Sequence, residues 1–326
     1  MGTMIFAYTP RDGTIERLTI GPDDKLPTAA VWIDLFEPTD ADRARVDAAF
    51  GLAIPTHAEM LEIEPSSRLY VENGALYMTA TILARADEEN PTADAFTFVL
   101  ANRCLVTVRY HDPRPVGTFG TRIVRQPAAC ATAEEALIGL VETFVDRIAD
   151  IIEKVGLDLD AISRTIFGAA AAERDMHDVL RRLGRIEDLC STARESLLGL
   201  GRLARFFDAS MEAETKKQTK ELKARLKTLN RDIASLMEHA DFDGRKVGFL
   251  LDAALGLINI EQNRIIKLFS VVSVVLMPPT LVGTIYGMNF RNMPELDWPW
   301  GYPLALAAML ASAILPYLYF KKRGWF

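Results

Sequence analysis

An asparagine amide and a glycine carbonyl at the end of an apolar segment are groups that can hold a hydrated cation. Residues 286–290 read Tyr-Gly-Met-Asn-Phe, where the uncharged segment Leu268–Gly287 gives way to a short polar loop. Mg²⁺ prefers octahedral oxygen ligands and gives up its water reluctantly. The oxygens of Asn289 and Gly287 could accept hydrogen bonds from its bound waters, whereas a carboxylate ring would risk trapping the ion. The pattern predicts a cation-selective mouth.

Two uncharged segments near the C-terminus would position this mouth. Each is long enough to cross a bilayer, which needs about 20 apolar residues, and a short loop separates them. A buried core helix is the alternative for either segment. We predict an α+β membrane protein with a cytoplasmic α/β domain (1–130), a cytoplasmic helical hairpin (131–208), a stalk helix (209–267), a pore-lining transmembrane helix (268–290), an external loop (291–300), a second transmembrane helix (301–320) and a basic tail (321–326).

The first 130 residues alternate between strand-like and helix-like segments, which indicates a small mixed α/β domain. The strand-like segments are Met4–Tyr8, Ala30–Leu35, Ala75–Leu83 and Phe96–Tyr110. Thr39 is a predicted helix N-cap because acidic residues follow it. After Thr132, helical patterns cover 133–168, 172–207 and 209–288. The last is too long for an ordinary globular helix, so we predict a stalk that continues into the membrane.

Charge sets the expected orientation and argues against one class of partner. Basic residues precede the first predicted span, at Arg264 and Lys267, and follow the second, at Lys321, Lys322 and Arg323. Because positive charge stays inside, we expect both termini to be cytoplasmic in a multi-pass protein of the cytoplasmic (inner) membrane. The net charge of −7 argues against a nucleic-acid partner. The three scattered cysteines fit a reducing compartment, and the four histidines show no catalytic spacing.

One face of the long helix is small or polar at seven of nine positions. In alternating steps of four and three these are Asn259, Asn263, Ile266, Ser270, Ser273, Met277, Thr280, Thr284 and Gly287. This period of 3.5 is that of a helical bundle seam. The stripe is either a contact surface between helices or the wall of a water-filled channel. Because each chain has only two spans, such a channel requires a ring of several copies.

Three further features favour a channel for cations. The stripe continues past the predicted membrane end to Asp252, and a contact surface between helices does not require a carboxylate there. Glu295 and Asp297 in the external loop would raise the local cation concentration. Pro278 and Pro279 should bend the span beside the stripe.

Several strings taken together resemble the CorA family of magnesium/cobalt transporters. They are Tyr286-Gly287-Met288-Asn289-Phe290, Met293-Pro294-Glu295-Leu296, Trp300-Gly301-Tyr302-Pro303, the terminal segment 319–325, and Trp32-Ile33-Asp34-Leu35 with Pro38-Thr39. The resemblance is densest after Leu250. It implies a homopentamer with a cytoplasmic α/β funnel, stalk helices that continue into a pore-lining first span, and a peripheral second span.

The resemblance also implies roles for individual residues. Asn289 and Gly287 match the selectivity filter, Thr280 and Met277 the next pore positions, Asn263 and Asp252 the cytoplasmic entrance, and Ile266, Phe269 and Met277 the gate. The family closes its pore when cytoplasmic Mg²⁺ occupies sites between subunits. The residues of those sites do not carry over cleanly, so the candidates Asp232, Glu238, Asp241 and Asp243 compete with a plain solvated stalk surface.

The expected function is a divalent-cation channel and not an enzyme. It would carry Mg²⁺, and also Co²⁺ or Ni²⁺, inward down the membrane potential, with Mg²⁺ gating from the cytoplasm and no organic cofactor. Its partners would be copies of itself, lipid and divalent cations. A Zn²⁺ transporter of the same architecture ranks lower, because the spans and loop contain no His or Cys. A membrane-anchored oligomeric scaffold or enzyme is the alternative of another class.

Overall fold

The computed structural model describes residues 4–86, 88, 91–101, 103–127, 130–168, 175–213, 220–289 and 293–324, with the backbone alone for Pro65, Ala213, Glu295 and Leu296. The described residues belong to two compact units. The first comprises Met1–Gly168 and His177–Leu251, and the second comprises Ala169–Met176 and Asp252–Phe326.

A seven-stranded sheet carries the core of the first unit. Its strands are β1 (Met4–Arg11), β2 (Thr14–Ile20), β3 (Trp32–Phe36), β4 (Leu69–Glu72), β5 (Ala75–Ala84), β6 (Thr92–Ala101) and β7 (Cys104–Arg109). Their order across the sheet is β2-β1-β3-β7-β6-β5-β4. Neighbouring strands are antiparallel except β3 and β7, which run parallel with Asp34 opposite Thr107. The mixed α/β domain predicted from the sequence is therefore present.

Eight helices complete the described fold. They are α1 (Asp40–Phe50), α2 (His57–Met60), α3 (Pro65–Arg68), α4 (Arg114–Arg125), α5 (Ala133–Phe167), α6 (Met176–Ala213), α7 (Lys220–Tyr286) and α8 (Gly301–Lys322). A short 3₁₀ helix, Pro294–Asp297, precedes α8. Thr39 caps α1 as predicted, since its hydroxyl accepts a hydrogen bond from the Asp42 amide and the Asp42 side chain reaches back to Thr39.

Several element boundaries differ from those expected. Residues 209–213, assigned to the long helix, extend α6 instead, and α7 begins at Lys220. The segment Phe96–Tyr110 is two strands, β6 and β7, and not one. Strand β2 was missed because it lies at the sheet edge, where only Ile15 is buried and polar side chains alternate with apolar ones. Strand β4, at the opposite edge, is only four residues long.

A buried chain of polar groups joins the two parallel strands at the centre of the sheet. The Trp32 indole donates to the Thr107 hydroxyl at 2.9 Å, and that hydroxyl donates to Asp34 at 2.7 Å. The guanidinium of Arg109 donates to both oxygens of the same carboxylate at 3.0–3.2 Å and to Asp112 at 2.6 Å. Burial alone would lower the Arg109 pKa, but the carboxylates of Asp34 and Asp112 outweigh it and raise the pKa.

Replacing Arg109 by Met should destabilise the fold by about 3–5 kcal/mol, because the Asp34 carboxylate would remain buried without its cation. Chemical denaturation of the full-length protein in detergent would measure the free energy of unfolding. The exposed Arg103→Met is a matched control and should cost less than about 0.5 kcal/mol. The double variant Asp34→Leu, Arg109→Met should recover part of the loss. Equal stability of Arg109→Met and the wild type would contradict this role of the ion pair.

Candidate functional site

The polar stripe predicted on the long helix lies on one exposed face of α7. Every stripe position from Asn259 to Gly287 is exposed in the single chain, as is Asp252. The two bulky stripe residues, Ile266 and Met277, are 61% and 68% exposed, and the neighbouring Phe269 is 66% exposed. The structure therefore puts the predicted pore residues side by side and leaves them without cover from their own chain.

The opposite face of the same helix, from Val271 onward, is partly buried. Val271 is buried, and the half-buried positions that follow it are Val275, Pro278, Pro279, Val282 and Gly283. At about 100° per residue, the centre of this face lies roughly 170° from the centre of the stripe. A Cβ added to Gly283 would lie 2.8 Å from the Met309 methyl of α8. Helix α8 thus packs against the apolar face and not against the stripe.

Helix α8 meets α7 through a face of mainly small residues. Its half-buried positions are Gly301, Ala305, Met309, Ser312, Ala313, Pro316 and Phe320. Small side chains let two helices approach closely in a bilayer, where no hydrophobic force drives them together. The rest of α8 is exposed and includes Leu310, Ile314 and Leu318, which is typical of a surface that faces lipid.

Two threonines of the stripe have oriented hydroxyls. Thr280 Oγ1 donates to the Leu276 carbonyl at 2.8 Å, and Thr284 Oγ1 donates to the Thr280 carbonyl at 2.8 Å. With its proton committed to the backbone, each hydroxyl presents only lone pairs to its surroundings. These side chains can accept hydrogen bonds from water on the stripe face.

The Gly-Met-Asn segment follows directly after the helix. The Gly287 amide donates to the Gly283 carbonyl at 2.9 Å, which closes the last turn of α7. A Cβ on Gly287 would lie 3.1 Å from that same carbonyl oxygen, so the glycine allows a close approach here and its φ is not positive. Asn289 and Asp297 are exposed. Phe290, the Glu295 side chain and Trp325 lie outside the described residues.

The four acidic residues proposed for regulation differ in their surroundings. Asp241 is paired with Arg194 at 2.8 Å. Asp243 is buried, and burial raises its pKa, an effect that Lys246 partly opposes. Asp232 and Glu238 are exposed. Spacing along the stalk could not separate these cases, because the outcome depends on which side of α7 is covered.

No sequence pattern connects His57 with His111, yet both imidazoles lie beside the carboxylate of Asp94. The His111 Nδ1 is 3.4 Å from one carboxylate oxygen and the His57 Nε2 is 3.9 Å from the other. The three residues belong to different elements and are far apart in the chain, so no local motif could have indicated them. Within the described part of the chain, no group of three or more His, Cys, Asp or Glu side chains is placed to hold a metal ion.

Two described helices are long and apolar enough to cross a membrane, Lys220–Tyr286 and Gly301–Lys322. Their most apolar windows have mean hydropathies of 2.0 and 1.7, and they are 6% and 0% buried, whereas the core helix of a soluble protein would be mostly buried. Length, composition and exposure are all those expected of the two predicted spans.

Comparison with known proteins identifies the family. The family described as CorA-like Mg²⁺ transporter protein matches residues 28–322. The magnesium transport protein CorA of Escherichia coli (strain K12) is 36% identical over 325 residues, which cover 99% of this chain and 100% of that protein. This chain belongs to the CorA family. Because that family consists of transporters, the expectation that the chain is not an enzyme is confirmed.

Solved structures share the fold. The complete CorA magnesium transporter from Methanocaldococcus jannaschii superposes with a TM-score of 0.71 at 17% identity, covering 99% of this chain and 98% of that one. The cytoplasmic domain of ZntB from Vibrio parahaemolyticus gives a TM-score of 0.54 at 12% identity, covering 79% of this chain and 99% of that one. At these identities the likeness shows an N-terminal α/β domain, a long helix and a C-terminal apolar helix.

Cysteine labelling in proteoliposomes can test whether the stripe faces water. A cysteine at Ser273 should react at least about tenfold faster with a membrane-impermeant thiol reagent than one at the adjacent Val274, because a thiolate forms only where water is present. The natural Cys104, Cys130 and Cys190 make a quiet background, since burial raises the pKa of each thiol to about 12. Equally slow reaction at both positions would indicate dry helix packing.

Proposed function

We propose that this chain is a Mg²⁺ transporter whose α7 helices, in a ring of identical copies, line a water-filled path for the hydrated ion. The observation that carries the proposal is the position of the polar stripe, which is exposed along its whole length and, from Ser270 to Gly287, lies opposite the face that meets α8. A polar face in a bilayer turns to partners or water and not to acyl chains. Family membership supports Mg²⁺ as the substrate.

The lining chemistry fits an ion that keeps its water. The inner hydration shell of Mg²⁺ points hydrogens outward, so the wall must offer acceptors. Thr280 and Thr284 do so because their own protons are bound to backbone carbonyls. At the mouth, the Asn289 amide and the Gly287 carbonyl would add neutral oxygen acceptors. Neutral acceptors at several successive levels bind weakly enough to let the ion leave.

The membrane potential supplies enough free energy for uptake. A divalent ion gains about 4.6 kcal/mol on crossing 100 mV, so no coupled fuel is required. With both termini in the cytoplasm and the loop 291–300 outside, that movement is inward across the cytoplasmic (inner) membrane. Exposed Asp297 at the outer end would attract cations before they enter, with Glu295 in the same role.

We assign the apolar narrowing of the path to Ile266, Phe269 and Met277. Ile266 and Met277 lie on the stripe face, and Phe269 lies roughly 60° from its centre, which gives Phe269 the weaker claim. A ring of apolar side chains can close a pore by excluding water. The cytoplasmic entrance would then be formed by Asn263, Asn259 and Asp252, with Ser270 and Ser273 between the entrance and Met277.

For regulation by cytoplasmic Mg²⁺, Asp232 and Glu238 are the candidates that the surroundings favour. Both are exposed on the stalk part of α7, and Asp232 has only a distant cation partner, Arg231, at 3.9 Å. Asp241 is held more closely by Arg194 at 2.8 Å, and Asp243 is buried. An exposed carboxylate on one copy can share a divalent ion with a neighbouring copy, and loss of the ion would leave repelling charges.

Co²⁺ and Ni²⁺ are further substrates on the same grounds, because a wall that contacts the hydration shell discriminates weakly between divalent ions that carry similar shells. Zn²⁺ is the alternative for the principal ion of a transporter with the same architecture. The spans and the loop between them offer Zn²⁺ no His or Cys ligand.

Asn289→Ala should abolish Mg²⁺ entry into proteoliposomes under an inward-negative potential, because the filter loses its amide oxygen. Entry is measured with a Mg²⁺-sensitive dye, and size-exclusion chromatography checks that the oligomer is intact. Asn230→Ala removes an amide from the stalk part of α7, where it bonds the Leu226 carbonyl, and should leave entry unchanged. Wild-type entry with Asn289→Ala would overturn the filter assignment.

The same assay separates the hydroxyl acceptors from the shape of the side chain. Thr284→Val keeps the branched shape and loses the oxygen, and we expect about a tenfold slower entry from the loss of one hydrogen bond. Thr284→Ser restores the oxygen and should restore most of the rate. If valine conducted as well as threonine, the hydroxyl would have no role in passage.

Mg²⁺ regulation predicts that adding Mg²⁺ slows proteolysis of the stalk in the purified oligomer, and that Asp232→Asn with Glu238→Gln removes this protection. Asp241→Asn is the control and should keep it, because that carboxylate is bound to Arg194. Cleavage is followed on gels over time with and without Mg²⁺. Identical wild-type cleavage in both conditions would refute regulation at the stalk.

A further inference from the structure

The two apolar helices pack against each other over a defined length. As spans joined by a short loop they run antiparallel, and Gly283 of α7 meets Met309 of α8. The covered face of α7 begins at Val271, which is 2% exposed, and the half-buried positions of α8 end at Phe320. At about 1.5 Å per residue, Val271 lies about 18 Å from Gly283, and Phe320 lies about 17 Å from Met309. The packing of both helices therefore stops at nearly the same level.

Beyond this level, the side of α7 that faces α8 is uncovered and basic. Leu268, Lys267 and Arg264 precede Val271 by three, four and seven residues, which are spacings that keep side chains on one face of a helix. All three are exposed, and Leu268 is 52% exposed although it follows the same face as Val271. Arg264 has a partner on its own helix, Glu261 at 3.8 Å. Lys267 and Leu268 thus present a cation beside an apolar side chain.

Helix α8 brings three further cations to the same level. Lys321, Lys322 and Arg323 directly follow Phe320, and all three are exposed. Arg323 continues the half-buried face of α8, because it lies three residues after Phe320. Its position is fixed from two sides. The Arg323 amide donates to the Tyr319 and Phe320 carbonyls at 3.1 Å, and its guanidinium lies over the Tyr319 ring at 5.4 Å from the centroid.

The cations of the two helices form one basic cluster, which consists of Arg264, Lys267, Lys321, Lys322 and Arg323. Lys267 lies about 24 Å along α7 from Gly283, and Arg323 lies about 21 Å along α8 from Met309, so the two are at matching levels. Among the residues that the structure describes, Arg264 alone of the five has a carboxylate at ion-pairing distance. Membrane orientation requires positive charge near the ends of the spans, but not on the facing sides of both helices at one level.

We propose that the basic cluster binds the headgroup of one anionic phospholipid per chain. Basic sites between transmembrane helices suit anionic headgroups, and a phosphate here would accept hydrogen bonds from the Lys267 ammonium and from the Arg323 guanidinium, which can donate two in parallel. Exposed Leu268 and Tyr319 lie beside these cations and offer the acyl chains an apolar surface, which free phosphate would not use. The cluster lies on the α8 side of α7, away from the polar stripe, so this site is separate from the ion path.

Native mass spectrometry of the full-length protein, delipidated in detergent, tests the site with phosphatidylglycerol as the probe. The wild type should bind one phosphatidylglycerol per chain at least about tenfold more tightly than phosphatidylcholine. Lys267→Gln with Arg323→Gln should weaken phosphatidylglycerol binding by about 25-fold, at about fivefold for each cation removed near the membrane surface. Lys227→Gln with Arg245→Gln removes the same charge from exposed positions on the stalk part of α7 and should leave the binding unchanged.

Equal affinity for the two lipids, or an equal loss of binding in the two double variants, would overturn the proposal, because the attraction would then depend on total charge alone. Excess inorganic phosphate, compared with chloride at the same ionic strength, distinguishes the two sources of a phosphate group. The lipid should stay bound, and its displacement would assign the site to free phosphate instead. If the double variant at the cluster does not fold, Lys267→Gln alone should weaken phosphatidylglycerol binding by about fivefold, and unchanged binding would refute the site.

Discussion

A helix that crosses a bilayer must keep its polar side chains away from acyl chains, and α7 carries a full stripe of them. A single chain does not meet this requirement. Helix α8 covers the apolar side, beside Gly283, and leaves the stripe from Ser270 to Thr284 exposed. The two helices of one chain cannot enclose the stripe, because α8 lies on the opposite side of α7. In the proposed function, covering the stripe requires association between copies, and a closed ring would meet that requirement for every copy at once.

The distribution of helix-breaking residues in α7 follows the same division. Pro278 and Pro279 lack the amides that would bond the Val274 and Val275 carbonyls, and both prolines are half-buried on the side that meets α8. Thr280 and Thr284 lie on the other side and add hydrogen bonds to carbonyls there. The helix thus loses backbone hydrogen bonds on the side that meets α8, and its carbonyls accept additional side-chain hydrogen bonds on the stripe side. This arrangement explains how one continuous helix tolerates two adjacent prolines inside an apolar span.

Much of the fold and of the site could be predicted from the sequence because the relevant patterns are periodic or local. The 3.5-residue spacing located the stripe from Asn259 to Gly287, and the Thr39 cap depends only on residues up to Asp42. Edge strand β2 and the burial of Asp243 depend on which neighbours cover a segment, which spacing does not encode. The contact of His57 and His111 with Asp94 needs the register of β6 against β7, so it could be found only in three dimensions.

Carboxylates have different surroundings in the core of the first unit and near the proposed transport path, and this difference explains the composition of that path. Asp34 is buried and needs Arg109 at its side. In the segment Leu268–Gly287 there is no carboxylate at all, although a cation is the proposed cargo. A fixed negative charge in a low-dielectric span would either demand a permanent partner or hold a divalent ion too strongly to release it. Neutral oxygens avoid both outcomes. In the proposed function, Asp252 and Asp297 attract cations instead, from exposed positions beyond the two ends of the predicted span, where water screens them.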